Sequence, residues 1–267
     1  MDMTISHKDT WMHHINPTIK LMTMTGIFLF LLFVHYLNWL LYLNLFYFLL
    51  LWLFSGYSNR VVLLLVLPFL LVFLSTASSM IMFGKGETTW LKWGLIHITE
   101  ESFYRGIHIG LRAFAFAILG LLFALTTRPV LLFYSLMQQV GLKPKYAYSF
   151  MAGLRLIPIM AEEFYTLHNA MKVRGIREQK GIKHLFHKMQ SYSIPLLAQS
   201  IRRAHRMAVA METKGFDGNG QRTYFYRVGF SKYDGYFIVS TFLMMLVSYY
   251  TSIHLPILPT GDVRYGK

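Results

Sequence analysis

The chain has no cysteine, which excludes disulfides, cysteine metal sites and thiol catalysis and leaves the compartment open. It is short of acid: 12 Asp and Glu stand against 26 Lys and Arg, giving a formal net charge of +14 over 267 residues. It lacks the G-x-x-x-x-G-K-[ST] spacing of a phosphate-binding loop. The nearest run, Gly84-Lys85-Gly86-Glu87-Thr88, would not form a phosphate cradle. No carboxylate or third histidine stands at ligand spacing from the paired histidines His13-His14 or His184 and His187, so no metal and no cofactor is expected on this chain. The long apolar runs carry almost no charge. That argues against a self-sufficient channel or secondary transporter, which needs polar groups deep in several spans.

What the chain has in abundance is apolar surface. It is 55% hydrophobic and 16% aromatic, a composition typical of membrane proteins. Residues 1–20 are polar, and no small-residue cleavage site follows the first apolar run, so a signal peptide is not expected. Apolar runs at 21–34 and 40–54 flank Asn38. Together they are too long for one helix across about 30 Å of hydrocarbon, so they read as two short spans joined at Asn38. Further spans are expected at 61–76, at 106–126 and, after a long polar interval, from Tyr236 to Thr251, followed by a tail containing Pro256 and Pro259. Residues 77–105 read as an external loop, with room for a surface-lying helix. Arg112 lies inside the fourth span, six residues from its expected outer end, and is either a functional intramembrane group or one that snorkels or pairs with a neighbouring carbonyl.

The expected fold is therefore an all-α membrane protein of about five transmembrane helices with a layer of amphipathic cytoplasmic helices. It divides into residues 1–127 with four spans, 128–233, and 234–267 with the last span and tail. Residues 128–233 hold 17 of the 26 Lys and Arg and 5 of the 12 Asp and Glu, a net of +12. The positive-inside rule places this segment, residues 55–60 and the N-terminus in the cytoplasm. A nucleic-acid partner is the other reading of such a block. It is disfavoured because the charge interleaves with an apolar stripe and no compact domain presents a recognition helix.

Within 128–233 a helix is expected from about Val130 to Val140, stopped by Gly141 and Pro144. Two amphipathic helices follow. The first carries Leu156, Met160, Phe164, Leu167 and Met171 on one stripe. The second carries Ile194, Leu197, Ile201, Ala204, Ala208 and Met211, with Arg202, Arg203 and Arg206 off it. Small Ala204 and Ala208 would let another helix approach closely. A basic connector of Lys180, Lys183, His184, His187 and Lys188 lies between them.

Both helices end in the same signature: Ala170-Met171-Lys172-Val173-Arg174-Gly175-Ile176 and, 40 residues on, Ala210-Met211-Glu212-Thr213-Lys214-Gly215-Phe216. A glycine just past the last helical residue closes a helix in the left-handed conformation. A cation one residue earlier sits among unpaired carbonyls at the negative end of the helix dipole, and its side chain can reach past the end into a partner. Pro158 and Pro195 are expected near the helix starts, where a missing N–H costs nothing.

These residues resemble the transmembrane T component of energy-coupling factor (ECF) transporters, the family of the cobalt-transport permease CbiQ. The resemblance rests on Asn16-Pro17-Thr18-Ile19-Lys20-Leu21, Thr126-Thr127, Arg155-Leu156-Ile157-Pro158, Val173-Arg174-Gly175 and Thr213-Lys214-Gly215. The family pattern has Asp-Pro-Arg-Thr-Lys-Leu at the first site and Ala-Arg-Gly at the last two, and Asn16, Ile19, Val173, Thr213 and Lys214 are among the departures from it. Lysine keeps the charge but loses the planar fork of arginine.

The resemblance implies a non-enzymatic subunit of an ATP-driven importer in a prokaryotic plasma membrane. Its two signature helices would be coupling helices. Val173, Arg174, Gly175, Thr213, Lys214 and Gly215 would dock on two ABC ATPases, with Arg155, Pro158, Ala170, Ala204, Ala208 and Ala210 as support. A small membrane S component would bind the substrate, a vitamin, vitamin precursor or metal ion, and ATP would be bound by the ATPases alone. The rival reading is a membrane-embedded enzyme at the cytoplasmic lipid interface, with Glu162-Glu163 and His168 as its acid-base set.

Overall fold

The computed structural model describes residues 8–84, 86, 88–93, 96–174, 182–218 and 223–258. A short 3-10 turn, Trp11–His14, leads into helices α1 (Pro17–Phe33), α2 (Leu37–Phe54) and α3 (Asn59–Phe83). Strands β1 (Thr89–Trp93) and β2 (Ile96–Thr99) form an antiparallel hairpin, and α4 (Glu100–Thr126) follows directly. Next come α5 (Pro129–Ser135), a π-helical turn Leu136–Val140, α6 (Pro144–Val173), α7 (Ile182–Thr213) and α8 (Lys232–His254). Among the described residues four helices, α2, α3, α4 and α8, are long and apolar enough to cross a membrane, and α1 is a shorter apolar helix of 17 residues. The molecule is an all-α multi-pass membrane protein with one small hairpin.

The boundaries correct the sequence reading in ways that have local causes. The break between the first two spans lies at Val34–Tyr36, and Asn38 is already inside α2. There its side-chain oxygen accepts from Leu258 N at 2.8 Å and its amide donates to Leu258 O at 2.7 Å, so it anchors the chain after α8. Helix α1 begins before the apolar run because Asn16 caps it, accepting from Thr18 N at 3.0 Å, with Pro17 in the first turn.

Helix α3 outlasts its apolar run because Thr76 and Ser78 satisfy their hydroxyls on carbonyls three and four residues back. The described residues of 77–105 are therefore the end of α3, the hairpin strands and the start of α4, with no surface helix among them. Thr99 caps α4 by accepting from Ser102 N at 3.2 Å, and Glu100 and Glu101 stand in its first turn, where the helix dipole favours acid.

The chain divides into two compact units, Met1–Leu132 with Val228–Lys267, and Phe133–Arg227. In the first, α4 is the central helix. It packs on α3 over most of its length and also touches α1 and α2. Gly106 and Gly110 allow the α3 approach: a Cβ at Gly106 would stand 2.8 Å from Ala77 O, and one at Gly110 would stand 2.8 Å from the Phe73 ring. Leu31, Leu40, Leu43, Tyr47, Leu51, Ala115, Ile118, Leu122 and Phe237 form the buried core between the helices. The outward side chains of α3, Leu63, Leu64, Leu67 and Leu71 among them, are exposed and apolar, as suits contact with lipid.

In the second unit, Gly141 (φ +77) closes the π turn, where a side chain would be strained. Pro144 then opens α6. The proline expectation is corrected. Pro158 and Pro195 lie in the interiors of α6 and α7, because both helices start well before their apolar stripes. Each proline removes one intrahelical bond. His187 and Lys188 belong to α7 and not to a connector. Lys85, Glu87, Gly175, Ile176, Lys180 and Pro259 lie outside the described residues.

Candidate functional site

Helices α6 and α7 pack antiparallel. As the position on α6 falls from His168 through Phe164 and Glu163 to Tyr148, its partner on α7 and beyond rises from Tyr192 through Arg203 to Phe216. The two signature ends consequently lie at opposite ends of the pair. Arg174 is the C-cap of α6, its N–H donating to Ala170 O at 3.1 Å, and both it and Val173 are exposed.

At the other end Gly215 has φ +72, its N–H donates to Glu212 O at 2.9 Å and Phe216 N donates to Met211 O at 3.0 Å. This is the paired-bond Schellman closure. Phe216 packs edge-on to Tyr148 at the start of α6, which fixes the α7 tip against its neighbour. Thr213 and Lys214 project exposed just before it. Among the described residues no carboxylate pairs with Arg174 or Lys214.

Arg155, Pro158, Ala170 and Ala210 are also exposed. Ala204 and Ala208 line a groove of about 540 Å³ between the helices, facing Ala152, Gly153 and Leu156. The expected stripe on α7 is only partly an inter-helix face: Ile194, Leu197 and Ile201 are exposed, and Tyr192, Arg203 and Met207 are less so. Arg203 is a correction. It does not stand off with Arg202 and Arg206 but turns to α6 and donates to Glu163, the two side chains 28% and 16% exposed. Glu163 is thereby engaged, and His168 Nδ1 lies 3.0 Å from Tyr192 Oη, so the two proposed acid-base groups have different partners. Elsewhere in this unit burial, with Tyr148 and Tyr226 nearby, holds the Tyr134 hydroxyl above its ordinary pKa.

The first unit gathers the remaining motif residues. Lys20 is fully buried. Its Nζ donates to Met12 O at 2.6 Å, to Thr126 O at 3.0 Å and to Thr126 Oγ1 at 3.2 Å. The asparagine-proline and threonine motifs, a hundred residues apart, thus meet. Asp234, which sequence reasoning missed, completes the knot by accepting from Asn16 N and Ser231 N, each at 2.7 Å. The signal available was Ser231 three residues before Asp234 at the mouth of an apolar run, a capping box with aspartate in place of glutamate.

Arg112 sits more than three turns into α4, not near its end, because α4 starts earlier than its apolar run. Its guanidinium donates to Val34 O at 2.7 Å, and His108 Nε2 lies 3.1 Å from the same oxygen. Val34 follows the last residue of α1, so Arg112 supplies a cation to the negative end of that helix dipole.

One unit is a bundle of apolar helices of the kind that crosses a membrane, and the other carries an antiparallel helix pair with exposed basic ends. Comparison with known families agrees: residues 8–225 match the family model CbiQ, described as cobalt transport protein, and the chain belongs to the EcfT/CbiQ family. Similar proteins include the energy-coupling factor transporter transmembrane protein EcfT of Lacticaseibacillus paracasei, 28% identical over 90% of this chain and 95% of that protein. The protein of that name from Lactococcus lactis subsp. cremoris is 28% identical over 90% and 92%. EcfT 1 of Listeria monocytogenes is 30% identical over 64% and 67%.

Proposed function

We propose that this chain is the energy-coupling T component of an ECF-type ABC importer and performs no catalysis itself. Two cytoplasmic ABC ATPases dock at the tips Val173-Arg174-Gly175 and Thr213-Lys214-Gly215, and a membrane S component brings a vitamin, vitamin precursor or metal ion. The carrying observation is the antiparallel α6–α7 pair, which presents two like-charged, exposed tips at opposite ends. One chain then offers two similar basic ends to two ATPases. Acidic groups on the ATPases would form charge-assisted contacts there, and the arginine tip, with its planar fork, binds more tightly than the lysine tip. The positive-inside rule supports a cytoplasmic N-terminus and residues 128–233. The enzyme reading is weaker because Glu163 and His168 are each committed to a partner on α7.

The test is co-purification. The chain is expressed with the ATPases encoded beside it, the tag is placed on an ATPase, and wild type is compared with Arg174→Glu, Lys214→Glu and the double variant. Release by charge reversal, stronger at Arg174, with the chain still in the membrane, supports the reading. Wild type that never binds, or binding indifferent to both residues, overturns it.

A further inference from the structure

The 40-residue offset that relates the two signatures also relates Glu163 to Arg203, and these two residues bond directly across the helix pair. Exchanging the helices at this offset therefore maps the ion pair onto itself. It marks a pseudo-two-fold centre from which Arg174 and Lys214 are each 11 residues away. At 1.5 Å per residue each arm is about 16 Å long, and the tips stand at most about 33 Å apart.

The two halves around this centre are not alike. On one side Phe164 and His168 pack on Tyr192, with ring centroids 5.3 and 6.1 Å apart. The same exchange carries those three residues to Ala204, Ala208 and Ala152, which line the open groove. Beside the centre one half is thus held by ring packing, whereas the other has small residues around a gap that closes only at its far end, on Tyr148 and Phe216. The Glu163–Arg203 pair, mostly shielded from water, stands between them.

We propose that Glu163 and Arg203 are positioning residues, the fixed centre of an equal-armed lever. They pin the crossing of the two helices, so that the tip separation takes one value in each nucleotide state and a displacement of one tip is carried to the other. This inference rests on the coupling reading above. A mostly buried ion pair suits the role because its partners are costly to separate and its geometry is directional.

The absence of native cysteine gives a clean background for the test. Spin labels are placed at Lys172→Cys and Glu212→Cys, another pair at the same offset, each nine residues from the centre and so about 27 Å apart in helical rise. Their separation is measured by pulsed electron resonance in the full chain, alone and bound to its ATPases, without nucleotide and with ATP and vanadate. The backgrounds are wild type, Glu163→Arg, Arg203→Glu, the charge-swapped double variant and Arg203→Lys.

We expect one narrow distance in wild type, a broad distribution in both single reversals, recovery in the swap and an intermediate width in Arg203→Lys. In the complex, nucleotide shifts the distance in wild type and the swap and not in the single reversals, while all still co-purify with the ATPases. Single reversals as narrow as wild type, or a swap as broad as they are, overturn the fixed centre. A wild-type distance that ignores nucleotide overturns the transmission. Failure of wild type to bind the ATPases instead defeats the coupling reading, and the distances in the free chain still decide whether the centre is held.

Discussion

Replacing Lys20 by methionine removes an ammonium that makes three hydrogen bonds and substitutes an unbranched apolar side chain of similar length. Each charge-assisted bond contributes about 1.5–3 kcal/mol, and each acceptor left buried without a partner costs about 1–3 kcal/mol. The acceptors Met12 and Thr126 are both buried, and Thr126 O belongs to the last turn of α4, where no intrahelical donor is available. Methionine recovers the cost of burying a charge, so the losses do not sum, and a net loss of about 3 kcal/mol is expected. For a chain of this size that lowers the melting temperature by about 6–12 °C.

The assay is thermal unfolding in detergent followed by tryptophan fluorescence. Trp11 is a good reporter because it packs edge-on to Phe54 in the turn that Lys20 anchors. Thr126→Val, which keeps the carbonyl and loses only the hydroxyl, should fall between Lys20→Met and wild type. Lys172→Met, at an exposed site, should not differ from wild type. A Lys20→Met protein melting within about 2 °C of wild type would show that the buried ammonium is not what holds the N-terminal segment to α4.

Arg112→Leu should cost about 1–2 kcal/mol and increase amide exchange around residues 30–36, because α1 loses the cation at its C-terminal end. Gly106→Ala should destabilise by about 1–3 kcal/mol, since its Cβ would meet the Ala77 carbonyl. Gly120→Ala, in open space within the same helix, should stabilise by about 0.5–1 kcal/mol, and equal melting shifts of the two would contradict the close α3–α4 approach. Gly215→Ala should cost about 1 kcal/mol through its positive φ alone, read as faster amide exchange at Phe216.

Hydropathy located all five apolar helices, since each carries a run that only a bilayer or a bundle core can cover. It misjudged their ends. Caps at Asn16 and Thr99 and the back-bonded hydroxyls of Thr76 and Ser78 extend α1, α3 and α4 beyond the apolar residues. These are local polar bonds to which a hydropathy window is blind. The closure of α7 was legible because a glycine just past a helix favours the left-handed conformation, which Gly215 takes.

The function of Lys20 was legible only as part of a motif. Its partners Thr126 and, through Asn16, Asp234 are brought near by tertiary packing. Glu163 with Arg203 was missed for a different reason. Arginines beside an apolar stripe read as solvated, and only the antiparallel contact shows that Arg203 faces inward.

The knot at Asn16, Lys20, Thr126 and Asp234 also orders events during synthesis. Lys20 has the Met12 carbonyl within reach as soon as the first helix forms, but Thr126 is made 106 residues later. The Asp234 carboxylate that receives the Asn16 amide comes 218 residues later, a wait of about 10–40 s at the pace of a ribosome. Until the last helix enters the bilayer the first is only provisionally seated. A nascent chain stalled before residue 234 should therefore expose its N-terminal segment to proteases that the finished protein resists.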